Sequence, residues 1–323
     1  MSFLPSADWP RLQLRAELLK RTRRFFDERG FIEVETPLLS ADTVVDRHLD
    51  PLSIVLFDDP QNPDIGRQMW LQTSPELHMK RLLAAGAQTI YQVTRSFRGG
   101  ETGPLHNPEF TIVEWYRRGD GMREGMELLS ALCEALLARG PAEVLTYREA
   151  FERHAGIDPH ACDADQLRLA AVASGCNPPP SLGDDRDGWL DLIMSELVAP
   201  RLGRDRPTIV CDFPATQAAL AVVRDEVPPV AERFELFING IELANGYHEL
   251  TDAAVLRERI ATANRQRIAD GKPALPADNQ LLAAMDQGLS ASSGCALGFD
   301  RVVMLAAGAK TIGEVMAFPI ERA

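Results

Sequence analysis

Two glutamates stand close together in a predicted β-hairpin. Asn239-Gly240 lies between alternating apolar residues, and this pair favours a two-residue turn because both positions adopt positive φ. The turn pairs Phe237 with Glu242 and puts Glu235 on the same face, diagonal to Glu242 and roughly 7–8 Å away at the backbone. Like charges this close repel unless water or a cation separates them. Since Mg²⁺ is held by a few carboxylates together with substrate phosphates, this face suits a nucleotide-bound metal.

The opposite face of the hairpin carries only apolar side chains and is predicted to be the buried side. In this register Ile238 pairs with Ile241, and Leu236 pairs with Leu243. The alternative is a solvent-exposed face whose glutamates have no role, and the hairpin alone favours that alternative. Polar residues that follow closely in an apolar stretch weaken it: Asn245, Gly246 and Glu249.

Composition narrows the class of protein. The 323 residues are 45% hydrophobic and 25% charged, which is typical of a globular chain. The formal net charge of −13 makes nucleic acid, including tRNA, a poor candidate partner. A short basic run, Lys20–Arg24, is interpreted as a solvated helix face.

The expected location is the cytoplasm. No apolar run has the length that a membrane span needs, and the N-terminus lacks the features of a signal peptide. The cysteines are scattered, without a CxxC pair, and are interpreted as reduced, buried thiols: Cys133, Cys162, Cys176, Cys211 and Cys295.

The pattern of elements predicts an α+β fold with an antiparallel β-sheet flanked by helices, because strands cluster on either side of a helical stretch instead of alternating with helices. Helices are predicted from about 8 to 30, from 74 to 86 with Ser74 as the cap, and from 122 to 139. Strands are predicted at about 31–35, 89–98, 109–116, 208–211 and 234–244. Residues 43–70 are predicted to be loop-rich. Residues 150–206 are predicted to be a peripheral helical insertion, broken near Pro178–Pro180.

Three segments in order resemble the signature motifs of class II aminoacyl-tRNA synthetases. Gly30–Pro37 is similar to motif 1, Phe97-Arg98 with His106–Thr111 to motif 2, and Gly294–Arg301 to motif 3. The resemblance covers nearly the whole chain and implies one catalytic domain over 1–323. It also implies a homodimer formed through motif 1.

Within that family the lysine-specific branch is the most similar. Thr73–Leu77, His106–Thr111 and Glu242–Leu250 resemble lysyl-tRNA synthetase, but motif 1 begins near residue 28 and leaves no room for an anticodon-binding domain. A catalytic core of this kind resembles the EpmA family, class II paralogues that attach (R)-β-lysine to a lysine of translation elongation factor P. The resemblance therefore implies ATP-dependent activation of (R)-β-lysine and its transfer to that factor, without tRNA.

The resemblance also assigns the ATP-binding residues. Arg98 would reach the substrate carboxylate and the α-phosphate, Arg301 would meet the far phosphates, and Glu235 with Glu242 would hold Mg²⁺. Phe110 would stack on adenine, or else be an ordinary core phenylalanine. The remaining ATP-binding residues implied are Gly99, Gly100, His106, Asn107, Leu243 and Gly298, of which His106 and Asn107 could instead merely order the loop.

A lysine-like substrate has a cationic end that must be paired once it is desolvated. By resemblance, Glu249 and Tyr116 would take the side-chain amine, Glu76 the other amine, and Asn245 the carboxylate. Glu76 could instead be a helix-start charge, and Tyr116 a strand aromatic. The other substrate-binding residues implied are Ser74, Pro75 and Ala296.

Two residues depart from the family pattern. Gly100 stands where motif 2 normally has a nucleotide-contacting glutamate, so that either Glu101 or the backbone must make the contact. Ala296 replaces the middle glycine of motif 3 in lysyl-tRNA synthetases. Its methyl group disfavours an α-amine and favours a β-amine, an effect of about 1–3 kcal/mol.

Two alternatives to the ligase stay open. One is a truncated lysyl-tRNA synthetase that charges tRNA or makes only the adenylate. The other is a non-catalytic regulatory subunit of synthetase type, which Gly100 alone favours, whereas the retained Arg98, Arg301, Glu235 and Glu242 argue for catalysis.

Overall fold

The computed structural model describes residues 3–179 and 182–323, so part of the predicted break at Pro178–Pro180 lies outside the described residues. In the described chain the helices are α1 Trp9–Asp27, α2 Glu76–Ala84, α3 Met122–Leu137, α4 Tyr147–Ala155, α5 Ala164–Ala173, α6 Arg186–Ile193, α7 Ala253–Ala269, α8 Gln280–Gln287 and α9 Phe299–Ala306. The strands are β1 Ile32–Glu33, β2 Leu39–Ser40, β3 Ser53–Phe57, β4 Gly66–Leu71, β5 Thr89–Phe97, β6 Glu109–Arg118, β7 Glu143–Thr146, β8 Thr208–Pro214, β9 Val223–Arg224, β10 Val230–Ile238, β11 Ile241–His248 and β12 Ser292–Gly298.

The chain forms two compact units. The first contains the chain up to Gly119 together with Leu250–Ser292 and Ala296–Ala323, and the second contains Asp120–Glu249 and Ser293–Cys295. Strand β12 therefore contributes residues to both.

The first unit is built around the antiparallel pair β5 and β6, which are in register from Thr89 opposite Arg117 to Phe97 opposite Glu109. Strand β1 joins β5 in parallel, and a separate small sheet has the order β2-β4-β3. Helix α1 begins as predicted, because the Asp8 side chain accepts a hydrogen bond from the Arg11 backbone N–H and a proline occupies its first turn.

The second unit has the strand order β11-β10-β8-β7, with β9 paired to β10. Strands β7 and β8 are parallel, and the other pairs are antiparallel. Helices α4, α5 and α6 lie in the predicted helical stretch and enclose a core of buried residues, among them Tyr147, Phe151 and Trp189. The predicted antiparallel sheet is confirmed, with parallel pairings added at β1–β5 and β7–β8.

Three local predictions were wrong. Residues 43–70 contain the paired strands β3 and β4, because the turn signals at 58–63 belong to the loop of a hairpin. The strand predicted over 31–35 is reduced to the two residues of β1. Ser74 does not cap α2, which begins at Glu76 with Pro75 in the cap position and no side-chain capping bond.

The five cysteines are free thiols, and all are buried except the half-buried Cys162. Burial raises the pKa of Cys133 and of Cys211 to about 12, so these two thiols remain protonated and unreactive at neutral pH. Among the described residues, no helix combines the length and the apolar character that crossing a membrane requires.

Candidate functional site

Arg98, at the end of β5, lies over an aromatic ring. Its guanidinium carbon is 5.0 Å from the centroid of Phe110, which stands near the start of β6. The Arg98 Nε also donates to the Thr73 carbonyl at 3.4 Å. A guanidinium over a ring face is a favourable cation–π arrangement. The predicted carboxylate-binding arginine thus covers the predicted adenine-stacking ring.

The loop after Arg98 is anchored by its backbone. The Gly99 N–H donates to the Asp50 carbonyl at 2.7 Å, and the Asp50 carboxylate is paired with Arg267 at 3.0 Å. Gly100 has φ +78°, a conformation that glycine adopts without strain. The Glu101 carboxylate lies 3.8 Å from Arg98 Nη1. Gly100 stands where a nucleotide-contacting glutamate is normally found, and either Glu101 or the loop backbone must replace it. The position of the Glu101 carboxylate beside Arg98 favours the Glu101 side chain.

Arg301 and His106 lie together in the first unit. Arg301 Nη2 is 2.7 Å from His106 Nε2, and its Nε donates to the Leu105 carbonyl at 3.2 Å. Asn107 has a different environment. It is buried, donates to the Glu109 carbonyl at 2.6 Å and accepts from the Ile320 backbone N–H at 2.9 Å. These bonds favour a loop-ordering role for Asn107 over direct contact with a nucleotide.

Two residues predicted to bind the amino-acid substrate, Glu76 and Tyr116, are each hydrogen-bonded to a buried side chain. Lys80 Nζ is 2.6 Å from Glu76 Oε1, and the Tyr116 hydroxyl donates to Glu114 Oε1 at 2.6 Å. All four residues are buried. Lys80 and Glu114 were not predicted from the sequence, although Lys80 follows Glu76 by one helical turn, a spacing that brings side chains together.

The other predicted residues of the first unit are placed as follows. Ser74 is half-buried and Pro75 is buried, directly before α2. Ala296 is half-buried in β12, and Gly298 is the residue before α9. Gly298 has φ −72°, a backbone conformation that does not require glycine.

The carboxylate hairpin of the second unit has the predicted turn but a different register. Asn239 and Gly240 have φ +54° and +80°, and Phe237 pairs with Glu242 as expected. Beyond that pair a β-bulge shifts the ladder, so that Leu236 pairs with Ala244 and not with Leu243. The predicted Leu236–Leu243 pair is therefore wrong.

The bulge also changes what faces Glu235. Asn245 is its partner across the ladder, and both faces of β10 are buried, since Phe237 packs in the core of the second unit. The face predicted to be buried is buried at Leu236 and Ile238, and Glu235 on the other face of this strand is buried as well. The alternative prediction, a solvent-exposed face whose glutamates have no role, is also wrong, because Glu235 is only 6% exposed.

Glu235 is held by an arginine that the sequence reasoning missed. Arg233 Nη2 donates to Glu235 Oε1 at 2.6 Å, its Nη1 donates to the Gln217 carbonyl, and its guanidinium carbon is 4.6 Å from the Phe213 ring centroid. Burial raises the pKa of Glu235 to about 7, with the Glu242 charge adding to the rise and Arg233 opposing it. The spacing Arg233-x-Glu235 on one strand was the available signal, since alternate residues share a face.

The remaining predicted residues of the second unit lie on or just after β11. Asn245 Nδ2 donates to the Tyr247 hydroxyl at 3.0 Å, and its Oδ1 is buried with no hydrogen-bond partner among the described residues. Leu243 is buried, and Glu249 is 1% exposed. A buried carboxylate and an unpartnered amide oxygen are groups that a cationic or N–H-bearing substrate can pair.

The two glutamates suit a metal ion shared with phosphates better than one held by protein alone. Among the described residues, no group of three or more His, Cys, Asp or Glu side chains could enclose a metal ion. Glu235 and Glu242 supply hard oxygen donors, and the mutual repulsion that helps raise the pKa of Glu235 would be relieved by a cation.

Comparison with known proteins identifies the family. The family model described as tRNA synthetases class II (D, K and N) matches residues 9–322. The chain belongs to this family. The predicted class II fold and the predicted ATP-dependent enzyme class are confirmed.

Similar proteins of this type cover the whole length of the chain. The elongation factor P–(R)-β-lysine ligase of Klebsiella pneumoniae (strain 342) is 50% identical over 319 residues, which are 99% of this chain and 98% of that protein. Proteins of the same name from Enterobacter sp. (strain 638) and Salmonella arizonae are 48% and 47% identical, with the same coverage of both chains.

Proposed function

We propose that the chain activates (R)-β-lysine with ATP and transfers it to a lysine side chain of translation elongation factor P. The observation that carries this proposal is the full-length similarity to ligases of that name, which leaves almost no part of either chain unmatched. The class II family supports the use of ATP, and the buried acids Glu76 and Glu249 support a substrate with two amines.

The proposed reaction has two steps. A carboxylate oxygen of β-lysine attacks the α-phosphorus of ATP, and pyrophosphate leaves. The uncharged amine of the acceptor lysine then attacks the carbonyl carbon of the adenylate, so that an amide forms, AMP leaves and a proton passes to solvent. Both steps depend on positioning and on charge stabilisation, for which arginines are suited.

Arg98 and Phe110 would act on the two ends of AMP. When ATP binds, adenine would take the place of the guanidinium over Phe110, and Arg98 would turn to the substrate carboxylate and the α-phosphate. The long contacts of Arg98, 3.4 Å to a carbonyl oxygen and 5.0 Å to the ring centroid, support this exchange. Arg301 with His106 would meet the outer phosphates, and Gly99, Gly100, Leu243 and Gly298 would line the nucleotide site.

Acidic side chains would receive the two amines of the substrate. Glu76 would take the β-amine beside Ser74, Pro75 and Ala296, while Tyr116 and Glu249 would take the side-chain amine and Asn245 the carboxylate. Lys80 already neutralises part of the charge of Glu76, so a second cation there is not bound by charge alone. Hydrogen-bond geometry is then decisive for the choice between α- and β-amines.

Glu235 and Glu242 would hold Mg²⁺, which when bound neutralises phosphate charge. We further propose a cytoplasmic homodimer formed through Gly30–Pro37, with a protein and not tRNA as the acceptor. The net charge of −13 supports that choice of acceptor.

The test combines two amino acids and two acceptors. The chain is incubated with ATP, (R)-β-lysine or α-lysine, and elongation factor P or tRNA. We expect intact-protein mass spectrometry to show one added β-lysyl group on the factor, and no acid-precipitable label on tRNA. Label on tRNA with α-lysine would instead identify a truncated synthetase. No adenylate with either amino acid, measured by pyrophosphate exchange, would identify a non-catalytic subunit.

Glu249→Gln tests the substrate site separately. We expect the KM for β-lysine to rise about 30-fold, since a charged hydrogen bond is worth roughly 2 kcal/mol, while the KM for ATP stays within twofold. Glu134→Gln, an exposed change on α3, is the matched control. Equal loss for both substrates would refute the assigned role of Glu249.

A further inference from the structure

Arg15, on helix α1, joins two segments that carry the nucleotide-binding candidates. Its Nη1 is 2.6 Å from Asp300 Oδ1, and its Nη2 donates to Thr111 Oγ1 at 2.6 Å. Asp300 uses its other oxygen to accept the Thr111 backbone N–H at 2.7 Å. The three residues therefore form a closed set of hydrogen bonds, here called the Arg15 clamp.

The clamp is mostly shielded from solvent. The side chains of Arg15 and Asp300 are 15% and 5% exposed, and Thr111 is buried. The guanidinium carbon of Arg15 also lies 5.2 Å from the centroid of the fully buried Phe299. A guanidinium donates from a rigid plane and therefore fixes the directions of both partners, whereas the rotatable ammonium of a lysine does not fix them.

Each partner of Arg15 is next in sequence to a residue proposed to bind ATP. Thr111 follows Phe110 on β6, and Asp300 precedes Arg301 in the first turn of α9. Because successive side chains of a strand point to opposite faces, the hydroxyl of Thr111 and the ring of Phe110 lie on opposite sides of β6. The clamp thus fixes the strand from behind, without occupying the face that carries the ring.

We propose that Arg15 is a positioning residue for ATP: it ties the strand that carries Phe110 to the helix that carries Arg301. The separation of the adenine-stacking ring from the phosphate-binding guanidinium is then set before the nucleotide arrives. This inference rests on the proposed function for the roles of Phe110 and Arg301. Arg15 would act through Thr111 and Asp300, and no direct contact with either substrate is assigned to it.

The main test compares Arg15→Gln with Arg21→Gln. Arg21 lies on the same helix and is exposed, and it forms an ion pair with Glu17 at 3.1 Å, one helical turn away. Calorimetry gives the Kd of ATP without amino acid and the Kd of β-lysine without ATP. We expect Arg15→Gln to raise the ATP Kd about tenfold and to leave the β-lysine Kd within twofold, because small misplacements of binding groups are costly. Arg21→Gln should change neither.

Thr111→Val provides a second route to the same answer. It removes the hydroxyl that Arg15 binds but keeps the backbone N–H that Asp300 accepts. We expect Thr111→Val to raise the ATP Kd about threefold. The double variant should raise the ATP Kd by less than the product of the two single effects, since both changes break the same Arg15–Thr111 bond.

Three results would overturn the inference. One is an unchanged ATP Kd in an Arg15→Gln protein whose melting temperature has fallen, which would make the clamp purely structural. Another is equal weakening of ATP and β-lysine binding. If Arg15→Gln does not fold, an unchanged ATP Kd in Thr111→Val decides against it. Because ATP binding is measured without acceptor, a wild-type chain that binds ATP but leaves elongation factor P unmodified would count against the proposed function alone.

Discussion

Two candidate functional residues, Arg98 of the first unit and Glu235 of the second, are held in opposite ways. In the first unit Arg98 is partly exposed, and its contacts include a ring face at 5.0 Å, a carbonyl at 3.4 Å and the Glu101 carboxylate at 3.8 Å. In the second unit Glu235 is buried and bonded to Arg233 at 2.6 Å. The first arrangement can be exchanged for ligand contacts at little cost, whereas the second is a fixed part of the folded unit.

We therefore expect Arg98 to matter mainly for ligand binding and catalysis, and the Arg233–Glu235 pair mainly for the stability of the fold. A side chain with long, partly solvated contacts contributes little to folding, so its removal should appear almost wholly in catalysis. A buried carboxylate depends on its partner, because an unpaired buried charge is costly. Four predictions test this contrast, and they are ordered from the largest expected effect to the smallest.

Arg98→Ala should reduce kcat/KM for adenylate formation about 1,000-fold, or about 4 kcal/mol, while the melting temperature hardly changes. Pyrophosphate exchange and thermal unfolding measure the two effects. The matched control is Arg95→Ala on the same strand, an exposed arginine whose ion pair with Glu109 spans 3.6 Å. A large loss of stability in Arg98→Ala would remove the contrast between the units.

Arg233→Met should lower the free energy of unfolding by about 3 kcal/mol, because it leaves Glu235 buried without its cation. Denaturant titration measures the change. Combining it with Glu235→Leu should restore most of the loss, since neither charge then remains. If Arg233→Met alone is neutral, the pair does not stabilise the second unit.

Glu235→Gln should flatten the pH dependence of stability in metal-free buffer. The folded-state pKa is raised by burial from 4.5 to about 7, so the folded chain holds this proton more tightly than the unfolded chain does. Its stability is therefore greatest below pH 4.5 and falls as pH rises to about 7, by up to about 3 kcal/mol. Unfolding free energies of wild type and variant should converge at pH 4.5 and differ most above pH 7. Parallel curves would contradict the raised pKa.

Glu101→Gln should raise the ATP Kd about fivefold, or about 1 kcal/mol, if its carboxylate replaces the glutamate missing at Gly100. Calorimetry measures the change, and Glu109→Gln, an exposed acid in the first unit, is the control. No change would leave the backbone of the loop as the source of that contact.

Local sequence signals predicted many elements because their causes are local. Asp8 and the proline two residues later start α1, and Asn239-Gly240 makes the turn between β10 and β11. The hairpin of β3 and β4 was missed because its turn signals were interpreted as a long loop. The roles assigned to individual site residues come from resemblance to the family and stay predictions.

The sequence by itself determined the family, the order of the motifs and the presence of two glutamates beside a tight turn, since these depend on residues close together in the chain. Only the tertiary structure decided what each group touches. The bulge places Asn245 opposite Glu235, and Arg15 is hydrogen-bonded to Asp300, which is 285 positions away in the sequence. Such partners arise from strand register and helix packing, in which distant segments select one another, and no local pattern records that choice.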